Sequence, residues 1–292
     1  MYQISASVVE LERRYGTISN LLDSDAMGRP IIGPRDFIRL ERLREIVFTG
    51  RRTFPVVSTD VLLLSLGESN VKSVSKIGGS PNRTDVTSWP VAFSGRPLTF
   101  LCQFAFSSDV KMLYGLPGTI MRVFVEDLKL AGPLPDLVIE WGNEGEPRYT
   151  EIKPQFREQF VTCWGEPFKT VDISDGEAAR VAQSQICKVC KCTIERAEYL
   201  SHWLCCVYGM KVGGLPFCGE LQHGANKGLR HLCSLSTVVS SPNEDWPWMN
   251  VERKMSFSEV YKPSNRLDMR DGFVLHLYWT TDGSVVPQIV FL

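Results

Sequence analysis

One phrase constrains this chain more than any other. Lys76-Ile77-Gly78-Gly79-Ser80-Pro81 recurs as Lys211-Val212-Gly213-Gly214-Leu215-Pro216. A polar, turn-rich stretch follows each copy. Next comes an apolar strand, Phe100-Leu101-Cys102-Gln103-Phe104 after the first and His231-Leu232-Cys233-Ser234-Leu235 after the second. A glycine then opens a further strand, Gly118 to Phe124 and Gly272 to Tyr278. These features in the same order predict an internal structural repeat. Paired glycines allow a positive-φ backbone, and the proline two residues on fixes φ and removes a donor. Each copy therefore reads as a stiff corner that feeds an extended segment. A Gly-Gly corner can also cradle a phosphate, but such loops lead into a helix N-terminus, and β-type sequence follows here.

The rest of the chain reads as α+β with a dominant antiparallel component. Residues from about Ser5 to Leu22 place Val8, Val9, Leu11, Tyr15, Ile18 and Leu22 on a rough helical face. A second helix is expected from Pro34, well suited to a first turn, to Gly50, with Phe37, Leu40, Leu43 and Val47 inward. From Phe54 the texture changes. Val56-Val57 and Val61–Leu66 read as strands separated by Ser-Thr-Asp. Leu98–Phe106, Thr119–Val125, Leu137–Trp141, Phe273–Trp279 and Val285–Leu292 read as further strands, each rich in β-branched or aromatic residues. Helical texture returns at Gly176–Gln185 and Thr193–Tyr208. The expected organisation is an N-terminal helical segment over 1–55 and a duplicated β-rich domain over 56–292, with repeats at about 56–141 and 176–292.

Charge and cysteine usage narrow the function. With 32 Lys and Arg against 33 Asp and Glu, the formal net charge is −1. Such a chain lacks the basic excess that counterion release on nucleic acid needs. No apolar run approaches the ~18 residues of a membrane span. The N-terminus has no basic segment followed by an apolar stretch, which argues against a secretory leader and for a cytoplasmic protein. Six of the nine cysteines fall between Cys187 and Cys218. In a reducing compartment that clustering points to thiols or metal rather than disulfides.

The ordered series Lys76–Pro81, Trp89-Pro90, Pro97-Leu98-Thr99-Phe100-Leu101-Cys102-Gln103 and Leu116-Pro117-Gly118 resembles the YwqG-like family of bacterial proteins. More distantly it is similar to the programmed cell death 2 proteins. The likeness spans roughly residues 56 to 280 and is strongest from Lys76 to Asp127. It implies a duplicated, mostly antiparallel β-fold with pseudo-twofold symmetry. It also implies a non-catalytic, chaperone-like role, since the eukaryotic relatives hold a ribosomal protein. The second half departs from the family pattern. Ser234 stands where a glutamine is expected, and the acid–Ser–Gly that commonly precedes the final strand is reduced to Asp271-Gly272. The repeated positions Lys76, Gly78, Gly79, Pro81, Trp89 and Gln103, with Lys211, Gly213, Gly214 and Pro216, are the binding candidates. Lys76 and Lys211 read either as paired recognition charges or as caps on neighbouring carbonyls.

Four further groups of side chains could carry chemistry. Cys187 and Cys190 have the C-x2-C spacing of a zinc knuckle, and His202 and Cys206 would share one helix face. Together they make a candidate structural zinc site. The other reading is that these cysteines are small core residues. Among the histidines, His276 alternates with apolar residues in a strand, while His223 and His231 flank the Gly224–Gly228 loop. Glu140, Glu144, Glu146 and Glu151 surround a turn and read as a solvated loop. Trp89, Phe93, Trp141, Trp164, Trp246 and Trp248 lie mostly beside prolines or glycines. They read either as exposed contact residues or as plugs at the ends of the sheet. No nucleophile elbow, zinc-protease helix, Walker loop or dinucleotide fingerprint occurs. The sequence therefore favours a non-enzymatic module that holds an extended polypeptide. An enzyme with a cleft between repeats, or a zinc- or redox-responsive sensor, are the alternatives.

Overall fold

The computed structural model describes residues 6–18, 21, 34–50, 53–66, 68–70, 74–83, 88–106, 115–126, 137–147, 162–174, 176–217, 228–237 and 273–291. Helix α1 is Ala6–Tyr15 and α2 is Pro34–Phe48. Strands β1 (Val56–Leu66), β2 (Ser75–Ile77), β3 (Thr99–Ala105), β4 (Ile120–Val125), β5 (Leu137–Gly142) and β6 (Cys163–Ile173) follow. Then come α3 (Gly176–Cys190), α4 (Ile194–Cys205), β7 (Lys211–Gly213), β8 (Arg230–Thr237), β9 (Phe273–Trp279) and β10 (Val285–Phe291). The strands form one sheet in the order β10-β9-β8-β7-β1-β6-β2-β3-β4-β5, with every pairing antiparallel. The α+β class read from the sequence is the class observed.

The centre of the sheet is the long ladder between β1 and β6, which runs from Val56 opposite Ile173 to Leu66 opposite Cys163. Short β7 hangs on β1 through Thr59, Asp60 and Val61, and short β2 hangs on β6 through Gly165, Trp164 and Cys163. An arm of three more strands continues outward from each. The sequence splits β1 in two at Ser58-Thr59-Asp60; the strand is in fact continuous. Thr59 and Asp60 are buried, and the Thr59 hydroxyl donates to the Val212 carbonyl at 3.4 Å. These polar residues are absorbed by the neighbouring strand instead of making a turn.

β6 escapes the sequence reading because it contains Pro167, which ordinarily argues against a central strand. Its place in the register explains the tolerance. The Leu62 amide donates across to Met210, away from β6, so Leu62 and Pro167 form a non-hydrogen-bonded pair. The nitrogen of Pro167 therefore faces the β2 side, and β2 has already ended at Ser75 opposite Gly165. Among the described residues no ladder bond is lost.

Two cores flank this centre. Val61 and Leu63 of β1 and Phe168 of β6 pack against all four helices, with Val8, Leu11, Phe37, Leu43, Val47, Ile186, Leu200 and Leu204. Leu62 and Leu64 face the other way, into a second core with Leu101, Phe104, Met121 and Val123 of one arm and Leu232, Leu235, Leu275 and Leu277 of the other. The two arms thus curl together, and Trp141 of β5 meets Trp279 of β9 edge-on at 5.8 Å. A strand covered on both faces needs no polar alternation, which is why β1 reads Val-Leu-Leu-Leu. Each of these fully buried side chains contributes roughly 1.5–3 kcal/mol relative to exposure.

The helices differ from the sequence reading mainly at their ends. α1 stops at Tyr15, where Gly16 takes φ +85° and returns its amide to Glu12. Val9 and Tyr15, both on the expected inner face, are exposed. α2 buries Phe37, Leu40, Leu43 and Val47 as expected, and also Glu41 and Arg44. α4 is capped by Thr193, whose hydroxyl accepts from the Arg196 amide at 3.3 Å. Among the described residues no helix is long and apolar enough to cross a membrane.

Candidate functional site: two buried polar rows at the glycine corners

Both corners have the predicted backbone. Gly78 and Gly79 lie at φ +64° and +66°, and Gly213 and Gly214 at +71° and +70°. Side chains other than glycine rarely adopt this region. Two successive left-handed residues turn the following amide inward, and in each corner it meets a carboxylate. The Ser80 amide donates to Glu68 Oε1 at 3.2 Å, and the Leu215 amide donates to Asp172 Oδ2 at 2.7 Å. Each concavity that could have received an external anion is filled by the chain's own acid. The corner lysine completes the arrangement: Lys76 Nζ lies 3.5 Å from Glu68 Oε2, and Lys211 Nζ donates to Asp172 Oδ2 at 2.7 Å. Lys76 Nζ also donates to the Ser80 carbonyl, so the capping reading of this lysine describes its contacts.

From each corner a polar row runs outward across the arm. In the first, Lys76 stands opposite Gln103, and Gln103 opposite Arg122. In the second, Lys211 stands opposite Ser234, and Ser234 opposite His276. The ladder skips Leu101 in one arm and Leu232 in the other, two residues before Gln103 and Ser234. All six side chains of the rows are buried.

The first row is held by amide and guanidinium groups. Gln103 Oε1 accepts the Asn82 amide at 2.9 Å, and its Nε2 donates to the Val74 carbonyl at 2.7 Å and to Asn82 Oδ1 at 3.0 Å. Arg122 donates to the Asn82 carbonyl and to Glu146. Burial lowers its pKa, against the pull of Glu146 and Glu140. Arg83 makes a two-pronged pair with Glu140, both contacts at 2.9 Å, and lies 5.7 Å from the Trp89 ring centroid. The expectation that Glu140 and Glu146 belong to a solvated loop is therefore corrected. Two buried arginines from distant segments recruit them, a partnership invisible to local spacing. Glu144 is exposed, and Glu151 lies outside the described residues.

The second row is denser. Asp172, fully buried, also accepts the Val207 amide at 2.7 Å, and Arg44 approaches it at 4.0 Å. Arg44 donates to the Leu204 carbonyl at 2.8 Å and to Glu41 and Thr170, each at 3.0 Å. Burial alone would lower the Lys211 pKa, yet Asp172 and Cys206 reverse this and raise it. Where Gln103 fills the first arm, the shorter Ser234 leaves room for two histidines. Its hydroxyl lies 2.8 Å from His231 Nε2 and 2.8 Å from His276 Nδ1. Burial lowers the pKa of both rings, His276 to about 4. His231, expected to flank the Gly224–Gly228 loop, is thus a core residue of β8. The missing glutamine together with two histidines in strand register was the available signal for this cluster.

The structure does not assemble the candidate zinc site. α3 runs on to Cys190, so Cys187 and Cys190 lie in its last helical turn instead of a tight knuckle, with Lys191 at φ +49° closing the helix. His202 is exposed on α4. Cys206 faces the other way, buried, with its sulfur 3.3 Å from Lys211 Nζ and 3.2 Å from the Leu215 carbonyl. Burial, aided by Asp172, pushes its pKa up to about 12. Among the described residues no group of three or more His, Cys, Asp or Glu side chains is arranged to hold a metal ion. The helical ladder of α3 takes up the positions of Cys187 and Cys190.

The aromatic candidates divide between the two readings. Trp89 is half-buried, donates from Nε1 to the Leu98 carbonyl at 2.7 Å and meets Phe124 edge-on. Trp141 packs between Phe106 and Trp279. Phe93 is fully exposed on a turn closed by the Ala92 amide to Arg96 carbonyl bond at 2.7 Å. Trp246, Trp248 and His223 lie outside the described residues. Pro81 is buried and Pro216 half-buried beside their corners. A cleft between α2 and α4 is lined mostly by apolar side chains, Leu40, Leu43, Leu200, Trp203 and Leu204, together with Asp36 and Arg39.

The fold and these rows define an α+β protein with, among the described residues, one ten-stranded antiparallel sheet and two buried polar clusters. No family model matches the chain, and no curated protein matches it.

Proposed function

We propose that this chain is a non-enzymatic protein-binding module that holds an extended polypeptide segment by adding it to an outer edge of the sheet. The observation that carries this reading is β5. It ends the strand order with β4 as its only strand neighbour among the described residues. Its sequence, Leu137 to Gly142, has no proline to interrupt a new ladder, whereas β10 at the other end carries Pro287. The polar groups of both glycine corners are engaged within the chain, which leaves strand addition as the means of recognition. We further propose that the chain is YwqG-like and internally duplicated, with pseudo-twofold symmetry. The matched strand registers, bulges and corner carboxylates support this. On that reading the second unit begins with β6 near Cys163, not at 176. The partner is of chaperone-client or toxin type, taken up through an unpaired backbone.

The test is purification of the tagged full chain from its native cells, with mass spectrometry and metal analysis of the same eluate. One protein near stoichiometry is expected, and Val138→Pro and Ile139→Pro should separate its binding from folding. Neighbouring amides point to opposite sides of a strand, so one of these prolines deletes an outward donor and the other a donor to β4. A partner-free eluate, or a partner retained equally by both variants, would overturn the proposal.

A further inference from the structure

The second polar row carries a count of protons that does not close at neutrality. His231 Nδ1 lies 3.1 Å from the Gly213 carbonyl and 3.3 Å from that of Gly214. His276 Nε2 lies 3.0 Å from the Phe217 carbonyl. A carbonyl oxygen only accepts, so each of these outer nitrogens must carry a hydrogen. In a neutral imidazole the inner nitrogen is then a bare acceptor. Both inner nitrogens face the same Ser234 hydroxyl at 2.8 Å, and that hydroxyl has one hydrogen to give. Two neutral rings and one hydroxyl supply three hydrogens to a chain of ring–carbonyl and ring–hydroxyl links that needs four.

We propose that His231, Ser234 and His276 form one buried site that binds a single proton and no second. The added proton sits on one inner nitrogen, which donates to Ser234 Oγ. The hydroxyl hydrogen then turns to the inner nitrogen of the other ring. The mirror arrangement, with the proton on the opposite ring, is reached by moving hydrogens along the same line. A second proton would leave the hydroxyl hydrogen without an acceptor. It would also set two imidazolium rings 5.4 Å apart in a dry core.

The surroundings fix where this site titrates. Lys211 on β7 acts on both rings and disfavours their charging, but it is itself paired with Asp172 on β6 and bonded to Cys206. From β9 the Tyr278 ring lies 5.7 Å from His231 and 6.2 Å from His276, and burial holds its phenol up to about 12, so it stays neutral. Burial opposes the proton and the missing hydrogen bond favours it. Uptake accordingly falls below the ordinary histidine value.

The experiment is a titration of the full chain labelled with 15N-histidine, following ring shifts from about pH 8 downward to the onset of acid unfolding. The four histidines are assigned with His231→Gln and His276→Gln. The expected result is that His231 and His276 move with one common midpoint, and that their shifts sum to one imidazolium. In Ser234→Ala the common titration disappears, while Ser234→Thr, which keeps the hydroxyl, retains it. Two full imidazolium shifts, two unrelated midpoints, or no movement before unfolding would each overturn the inference. The wild-type curve decides this even where a variant fails to fold.

Discussion

Replacing Gly214 by alanine separates backbone strain from the chemistry of the corner, because the chain contains its own control. Gly50 and Gly214 have nearly the same backbone, φ +68° and +70°. A Cβ on Gly50 meets nothing within 4 Å, so Gly50→Ala measures left-handed strain alone, about 1–2 kcal/mol. A Cβ on Gly214 falls 2.3 Å from Asp172 Oδ2 and 2.7 Å from Thr59 Oγ1. That oxygen holds both the Leu215 amide and Lys211 Nζ, and it is fully buried. Displacing it forfeits at least one hydrogen bond to a charged group, worth about 1.5–3 kcal/mol. Gly214→Ala should then cost about 4 kcal/mol, a large share of the ~5–15 kcal/mol stability of a typical domain. Gly79→Ala, at φ +66°, is intermediate. Its Cβ meets Glu68 Oε1 at 2.2 Å, but that carboxylate is the end of a flexible, partly exposed side chain that can swing aside. Urea unfolding followed by tryptophan fluorescence gives the three midpoints at a common slope. If Gly214→Ala lowers the midpoint no further than Gly50→Ala, the corner carboxylate is not held as described.

Three other outcomes are expected. Lys211→Met removes the nearest cation from buried Asp172 and should cost about 3 kcal/mol in equilibrium unfolding, with Lys211→Met/Asp172→Asn costing less than the sum of its parts. His231 and His276 are held below the ordinary histidine value, so the unfolded chain binds protons first as pH falls. The contribution of His276 to stability is complete above about 6.5 and is lost as pH falls toward about 4, a slope that His276→Gln should flatten in urea midpoints taken across that range. Brief alkylation of the native protein should modify the half-buried Cys187, Cys190 and Cys192 and spare Cys102, Cys163 and Cys233, as read by peptide mass mapping. Rapid modification of Cys163, whose thiol burial pushes up to about 12, would contradict the packing of β6.

What the sequence revealed depended on how local each cause was. Positive φ at Gly78, Gly79, Gly213 and Gly214 is a property of two adjacent residues, and it was legible. So were β3, β4, β5, β8, β9 and β10, whose runs are rich in β-branched and aromatic residues. β6 was not legible, because only the end of β2 makes Pro167 harmless, and that end lies in another segment. The zinc reading failed for a related reason. C-x2-C looks alike in a knuckle and in a helical turn, and α3 continued because Ile186 had a core to enter. The pairs Arg83–Glu140 and Arg122–Glu146 and the Ser234 chain join residues far apart in sequence, so single-residue character carried little of them.

The way the arms hang on the central ladder also governs how the molecule can come into being. β2 is anchored on β6, and β7 on β1, so each arm takes its root from a strand on the other side of a long stretch of chain. Val61 meets Phe168 across more than a third of the polypeptide. On a growing chain, β2 to β5 are finished before β6 exists to receive them. Until Cys163–Ile173 has been made, the inner edge of β2 has no partner strand to receive it. Such distant pairings fold slowly and expose strand edges meanwhile. A cut between β5 and β6 leaves two pieces that each hold the seat of the other's arm and lack their own, so neither piece becomes a smaller version of the whole.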